Sequence, residues 1–172
     1  MSSFSIEEAK KEYLENIRKY MTDTGSLFPH ISVFGMDKTS QKKSIIHIPI
    51  PAEYVESSTK KSEFTDEIVP MIAKEVNKRF TIEAVGWASE AWMSVLKEDT
   101  KERKEVLFVM ISSETQESVF VYEIQRTGKQ VNSEGELTDI VELIENTTFD
   151  QEKSKVPMAG RFSDLYKKFK ES

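Results

Sequence analysis

Two histidines are the residues whose type and spacing come closest to a reactive site. His30 and His47 are the only histidines of the chain, and they lie in two β-branched runs, His30–Met36 and Ser44–Ile50, that predict a hairpin. A turn centred on Lys38-Thr39 pairs the two imidazoles across the strands, where they could share a metal ion or a proton. Two ligands do not make a metal site, and the alternative is an ordinary solvent-facing pair. No metal is therefore predicted.

Glu90 is the second candidate, because it lies between Ala88 and Trp92 in an apolar strand. Burial beside tryptophan would raise the pKa of its carboxyl group and suit it to general acid or base chemistry. The alternatives are that this face is open to solvent, or that the carboxylate accepts backbone or tyrosine hydrogen bonds. Glu123 falls on the opposite face by alternation, so a paired-carboxylate mechanism is not implied.

A row of aromatic side chains is the third candidate. Trp92, Phe108 and Tyr122 stand side by side if their three strands are neighbours. Covered by helices, the row is core; uncovered, it is a patch for a partner or a flat ligand. Tyr122 or Arg126 could then hold an anionic or flat ligand. The predicted binding residues are Glu90, Trp92, Phe108, Tyr122 and Arg126; no catalytic residue and no cofactor is predicted.

The composition removes several classes of function. The six glycines form no phosphate-binding loop, and the absence of cysteine removes thiolate chemistry and disulfides and fits a reducing, cytoplasmic setting. A net charge of −6 argues against general nucleic-acid binding. No stretch approaches the roughly 18 apolar residues of a membrane span, so no membrane partner is expected.

The sheet is the clearest predicted element. Its best-defined strands are Ala84–Met93, Glu105–Ser112 and Ser118–Arg126. The middle strand is apolar at nearly every position, which predicts a central place with both faces covered. The return across 113–117 places Val109 opposite Val121 and Phe108 opposite Tyr122.

Helices are predicted on both sides of the first hairpin. Ser5 and Glu8 form a capping pair, and an apolar stripe runs from there to Gly25. A second stripe spans Phe64 to Phe80, in which Pro70 means that the regular helix either starts near Ile68 or bends. The segment 52–62 before it is predicted to be a loop.

The segment after Gly128 has weaker signals. Leu137–Ile144 could be a short helix or a last strand, and helix is favoured. The helical spacing within Arg161–Lys170 predicts a helix that docks on the domain. The whole chain, 1–172, is thus predicted to be one α+β domain. Its mainly antiparallel sheet has about five strands, in the order α-β-β-α-β-β-β-α, packed by two amphipathic helices and the C-terminal helix.

The run Ala88-Ser-Glu-Ala-Trp-Met93 resembles a strand found in small bacterial and phage proteins. In that group the Ser-Glu-Ala-Trp strand follows a helix–hairpin–helix region and precedes a charged loop and a second hairpin, which corresponds here to residues 5–126. The group has no established activity. The resemblance therefore implies a fold, a bacterial or phage setting and an accessory or host-interaction role, without functional residues.

Three functions follow as hypotheses. The first is a non-enzymatic binding or accessory protein that acts through a protein partner or self-association. The second is a small-molecule or nucleotide-binding protein, with or without catalysis, whose site lies near Glu90 and Trp92. The third is a structural subunit of a larger assembly.

Overall fold

In the part of the chain that the structure describes, six strands form one antiparallel sheet. The computed structural model describes residues 5–54, 56–97, 100–152 and 165–171. The strands are β1 His30–Asp37, β2 Lys43–Pro49, β3 Phe80–Lys97, β4 Thr100–Ser113, β5 Gln116–Val131 and β6 Leu137–Glu152. Their spatial order is β2-β1-β3-β4-β5-β6. The predicted α+β class with an antiparallel sheet is confirmed, with six strands where about five were expected.

Helices cover both faces of this sheet. They are α1 Ile6–Thr24 on one face and, on the other, α2 Ser58–Glu63, a π-helical turn Phe64–Ile68, α3 Val69–Arg79 and α4 Leu165–Lys170. The central strand β4 is apolar on both sides because Leu107 and Val109 pack beneath α1 while Met110 packs beneath the other helices. This confirms the predicted two-sided cover.

The first helix begins and ends where the sequence predicts. The Ser5 side chain accepts a hydrogen bond from the Glu8 amide at 3.4 Å, and Gly25 ends the helix at φ 89° with its amide donating to the Met21 carbonyl at 2.8 Å. The buried side of α1 is the predicted stripe, which includes Tyr13, Ile17 and Met21.

Pro70 lies in the first turn of α3, the one position in a helix where its missing N–H costs little. The π-helical turn before it lets the Val69 amide bond to the Phe64 carbonyl. The predicted loop over 52–62 is wrong in part, because Ala52–Tyr54 forms a 3-10 turn and α2 begins at Ser58. The Ser57 hydroxyl caps α2 by accepting from the Lys60 amide at 3.2 Å.

The favoured helix at Leu137–Ile144 is wrong, because this segment is the first half of β6. A tight turn returns the chain beside β5: the Asn132 side-chain oxygen accepts from the Glu136 amide at 2.8 Å, and Gly135 has a φ of 81°. The C-terminal helix does dock, since Leu165 and Phe169 are fully buried. Residues 161–164 of that predicted element lie outside the described residues.

Both hairpin registers differ from the predicted ones. In the first, His30 pairs with Pro49 and Ser32 with His47, because the Asp37 carboxylate holds the Thr39 and Ser40 amides in a longer loop. The two histidines still share a face, because the change is an even number of residues.

The second hairpin slips by one residue. The Ser113 hydroxyl accepts from the Gln116 amide at 3.2 Å across a two-residue turn, which pairs Phe108 with Val121 and Leu107 with Tyr122. A slip of one residue turns a side chain to the other face of the sheet. Phe108 therefore faces away from Tyr122, against the prediction.

Gly35 is expected to tolerate no larger side chain, because a Cβ atom there would lie 2.3 Å from the Thr81 carbonyl oxygen. Gly35 follows a register shift between β1 and β3. The change Gly35→Ala should lower the free energy of unfolding by about 1–3 kcal/mol, measured by urea denaturation. Gly128→Ala is the matched control, since its Cβ would meet Ile140 Cδ1 at an ordinary 3.5 Å. Equal midpoints for the two variants would contradict this account.

Candidate ligand-binding site

A cavity of about 480 Å³ lies between α1 and the end of the first hairpin. It is referred to below as the α1–β2 cavity, and its lining residues are Asn16, Ile17, Lys19, Tyr20, Leu27, Phe28, His30, His47 and Pro49. Phe28 and Tyr20 are 63% and 43% exposed, so the mouth carries aromatic surface in contact with solvent. The volume falls in the range of small-molecule sites.

A buried hydrogen bond between Tyr13 and His30 lies beside this cavity. The Tyr13 hydroxyl is 2.6 Å from His30 Nε2, and His30 Nδ1 is 3.1 Å from the Phe28 carbonyl oxygen. A carbonyl only accepts, so Nδ1 carries the proton and Nε2 accepts from the Tyr13 hydroxyl. Burial lowers the pKa of His30 to about 4, against the opposing effect of the Phe28 hydrogen bond. His30 is therefore neutral at pH 7.

His47 forms the more open half of the histidine pair. Its Nδ1 lies 2.8 Å from the Ser32 hydroxyl, and its ring stacks on Tyr13 with centroids 5.8 Å apart and meets His30 edge-on at 5.4 Å. Partial burial lowers the pKa of His47 as well. Among the described residues, none hydrogen-bonds to its Nε2 atom, which leaves that nitrogen able to bond a molecule in the α1–β2 cavity.

The predicted proximity of the two histidines is present, although through a diagonal rather than a direct pairing. The described part of the chain contains no group of three or more side chains that could hold a metal ion. Tyr13, which joins the pair, was missed as a site residue. Its place in the α1 stripe indicated burial, but no local pattern indicates a partner 17 residues away.

Glu90 holds the wall of the cavity in position, and its carboxylate is hydrogen-bonded to the backbone. Its carboxylate accepts from the Leu27 amide at 2.9 Å, which corresponds to the backbone-bonded alternative considered for this residue. Burial raises the pKa of Glu90, while the Leu27 hydrogen bond acts against this rise. Because Leu27 lines the α1–β2 cavity, Glu90 helps to hold the connection from α1 to β1 in position.

Arg126 is already occupied by protein groups. Its guanidinium donates two hydrogen bonds to Glu105, at 3.2 and 2.6 Å, and a third to the Gly25 carbonyl at 2.9 Å. These bonds tie the end of α1 to the sheet, where a cation is favourable beside the last carbonyls of a helix. The anion-holding role considered for Arg126 would require breaking them.

The predicted aromatic row does not exist as one surface. Tyr122 is buried beneath α1 and is 4% exposed, whereas Trp92 on the same face of the sheet is 66% exposed. Phe108 lies on the opposite face, where its ring contacts Trp87 with centroids 5.3 Å apart. Three of the five predicted binding residues, Glu90, Tyr122 and Arg126, therefore serve the attachment of α1 and its connection to the sheet.

Comparison of the chain with known proteins identifies no relative. No protein-family model, curated protein or solved structure matches the chain. Within the described ranges, none of the helices combines the length and apolarity needed to cross a membrane. The class of protein is thus set by the architecture, a six-stranded antiparallel sheet between helices with a lateral cavity beside α1. The resemblance through the Ser-Glu-Ala-Trp strand stays a prediction.

Proposed function

We propose that the protein is a binding protein that holds a small, flat, apolar molecule in the α1–β2 cavity. The observation that carries this proposal is the cavity of about 480 Å³ whose mouth is formed by the exposed side chains of Phe28 and Tyr20. Aromatic rings left in water beside a concave apolar surface are favourable contacts for another ring. An aromatic ligand would stack on them and enter between α1 and β2.

Hydrogen bonds within the protein favour a cavity of fixed shape. His30 and Tyr13 hydrogen-bond to each other, and the Glu90 carboxylate accepts a hydrogen bond from the Leu27 backbone amide. A hydrogen-bonded network of this kind makes a wall rigid, and a rigid wall lowers the conformational entropy that the site itself must lose when a ligand binds. This proposal moves the small-molecule site from Glu90 and Trp92 to the neighbouring cavity, with Glu90 as its support.

A protein partner is the second candidate, and the position of β2 favours it. The strand is at the edge of the sheet and pairs only with β1 among the described strands. An extended segment of a partner could add beside β2 and place an apolar side chain in the cavity next to Pro49. The accessory or host-interaction role implied by the resemblance belongs to this candidate, as does self-association through β2.

Titration with 2-naphthol, followed by amide chemical shifts in two-dimensional NMR spectra, tests the first candidate. We expect saturable shifts confined to the cavity-lining residues. Asn16→Trp, which adds an indole at the cavity, should abolish them. Met71→Trp is the matched control, because Met71 is 68% exposed on α3, on the opposite face of the sheet.

The same titration separates the candidates. Shifts scattered over the surface, or equal in the Asn16→Trp and Met71→Trp variants, would overturn the cavity as the site. The chemical-shift changes caused by naphthol could instead become smaller as the protein concentration rises. Together with a dimer in sedimentation velocity, that result would favour a second copy of the chain as the natural occupant of the cavity.

A further inference from the structure

We infer that the edge of β2 binds an extended peptide segment that carries an aromatic residue four positions before a basic one. The inference rests on the proposed function in one respect, since the aromatic ring enters the α1–β2 cavity, and it specifies the partner of the second candidate. The segment adds to the sheet beside β2, antiparallel to it, and lies along the groove between this strand and α1.

A second, smaller cavity lies between the same helix and strand, nearer to their first residues. Its volume is about 110 Å³, and it is referred to below as the acidic cavity. On α1 and β2 its lining residues fall within 5–12 and 43–45, whereas those of the α1–β2 cavity fall within 16–20 and 47–49. With a rise of about 1.5 Å per helical residue and about 3.3 Å per strand residue, both elements place the two centres about 13–14 Å apart. About four residues of an extended chain span this distance.

The outer side of β2 offers backbone groups to such a chain. The Ile50 amide donates to the Pro29 carbonyl at 2.7 Å, which shows which pairs of the β1–β2 ladder are bonded. Because bonded pairs recur at every second residue, Ile48, Ile46 and Ser44 also bond to β1. No other described strand pairs with β2. The residues that turn their backbone groups toward a partner are therefore Lys43, Ile45, His47 and Pro49, of which Pro49 lacks an N–H.

The pairing determines which side chains of an added strand reach the groove. Residues directly opposite each other in a sheet share a face, and Ile45 packs beneath α1 whereas Ile46 packs on the other face. A partner residue opposite Pro49 therefore faces the α1–β2 cavity, and the residue four positions later, opposite Ile45, faces the acidic cavity. Since β2 itself contains no Phe, Tyr or Trp, a second copy paired through β2 would not supply the ring.

The acidic cavity favours a cation. Carboxylates of Glu8, Glu12 and Glu83 line it, against the single amine of Lys43. Glu83 is the residue left unpaired where the register between β1 and β3 shifts, and a bulge of this kind re-aims a side chain. None of the three carboxylates forms an ion pair within the described ranges. The α1–β2 cavity is lined instead by Lys19 and by no carboxylate, so charge complementarity places the basic residue of the partner at the acidic cavity.

The peptide acetyl-Thr-Trp-Thr-Thr-Thr-Arg-Thr-amide tests the inference in a calorimetric titration at low salt. We expect saturable binding that weakens about tenfold when Trp is replaced by Ala, or when Arg is moved one position toward Trp and so turns to the other face. N-methylation of the Thr midway between Trp and Arg should abolish binding, because its amide donates to the His47 carbonyl. N-methylation of the next Thr, whose amide points to solvent, should not.

The change Glu12→Gln tests the charge contact from the protein side. It should weaken binding of the peptide about fivefold, and Glu7→Gln is the matched control, because Glu7 is exposed on the same helix and lines neither cavity. Equal effects of these two changes, equal effects of the two N-methyl groups, or no binding of the peptide would overturn the inference. A dimer in sedimentation velocity that the peptide does not dissociate would assign the edge of β2 to a second copy and overturn it too.

The peptide and 2-naphthol separate this inference from the proposed function. If 2-naphthol binds and the peptide does not, the inference alone fails. If the peptide binds with the expected dependence on Trp, Arg and N-methylation and 2-naphthol does not bind, only the small-molecule function fails.

Discussion

Acidification from pH 7 to pH 4 is expected to lower the free energy of unfolding by about 3 kcal/mol through His30 alone. Burial lowers the pKa of this imidazole from 6.5 to about 4 in the folded protein. Between these two values the unfolded chain binds a proton that the folded protein does not. Stability therefore falls as the pH falls through this window, and the contribution of His30 levels off below it.

The structural reason lies in the three elements around the imidazole. Protonated His30 could no longer accept from the Tyr13 hydroxyl of α1, and its Nε2–H would donate to that oxygen instead. Its buried charge would face the His47 ring of β2 with centroids 5.4 Å apart. The cost of burying this charge where α1 packs against β1 would weaken the attachment of α1 to the sheet. The α1–β2 cavity should therefore lose its shape in the same pH window.

Urea denaturation at a series of pH values between 7 and 4 measures the effect. His30→Gln is the comparison, because an amide oxygen can accept from Tyr13 but does not titrate. The difference in stability loss between the two proteins isolates His30 from the carboxyl groups, whose protonation also destabilises the fold near pH 4. Parallel curves for both proteins would show that His30 is not the titrating group.

Truncation of Phe169 should cost about 3–5 kcal/mol of unfolding free energy, the range for removing a large buried aromatic side chain. Phe169 is fully buried in the core beneath α3 and α4, and its carbonyl accepts a hydrogen bond from the Asn77 side chain at 2.7 Å. The change Phe169→Ala removes one of the two fully buried side chains, with Leu165 the other, through which the six-residue α4 is attached.

Phe28→Ala makes the same truncation at a side chain that is 63% exposed. Its effect on stability should be within about 0.5 kcal/mol, as for most surface changes. Thermal and urea unfolding of both variants provide the measurement. A similar small loss for the two would mean that α4 contributes little to the core.

Local signals in the sequence account for the elements that were predicted correctly. The Ser5–Glu8 capping pair and Gly25 determine where α1 begins and ends, and the unbroken apolar run in β4 indicates a central strand. Register depends instead on turn geometry, which alternation does not specify. The Ser113 hydroxyl bonds in the turn between β4 and β5, and the register there differs by one residue from the predicted one. Phe108 therefore lies on the face of the sheet opposite Tyr122.

The candidate site was harder to predict from the sequence for a related reason. His30 and His47 could be placed near each other because they lie in one hairpin. The cavity itself requires the position of α1 over β1 and β2, which is fixed by distant contacts such as Arg126 with the Gly25 carbonyl and Glu90 with the Leu27 amide. Both residues were identified from their chemistry as ligand-binding, and the structure places them in the support of the wall.

The place of α4 in the chain has a consequence for biosynthesis. All six strands and the other helices are translated before residues 165–170 leave the ribosome, yet Leu165 and Phe169 complete the core on one face of the sheet. Until then, Ile31, Val33 and Val85 on a nascent chain lack part of their cover. An mRNA truncated before the codon for Leu165 would therefore yield an aggregation-prone product. Chaperones and proteases, which recognise exposed apolar surface, would bind it.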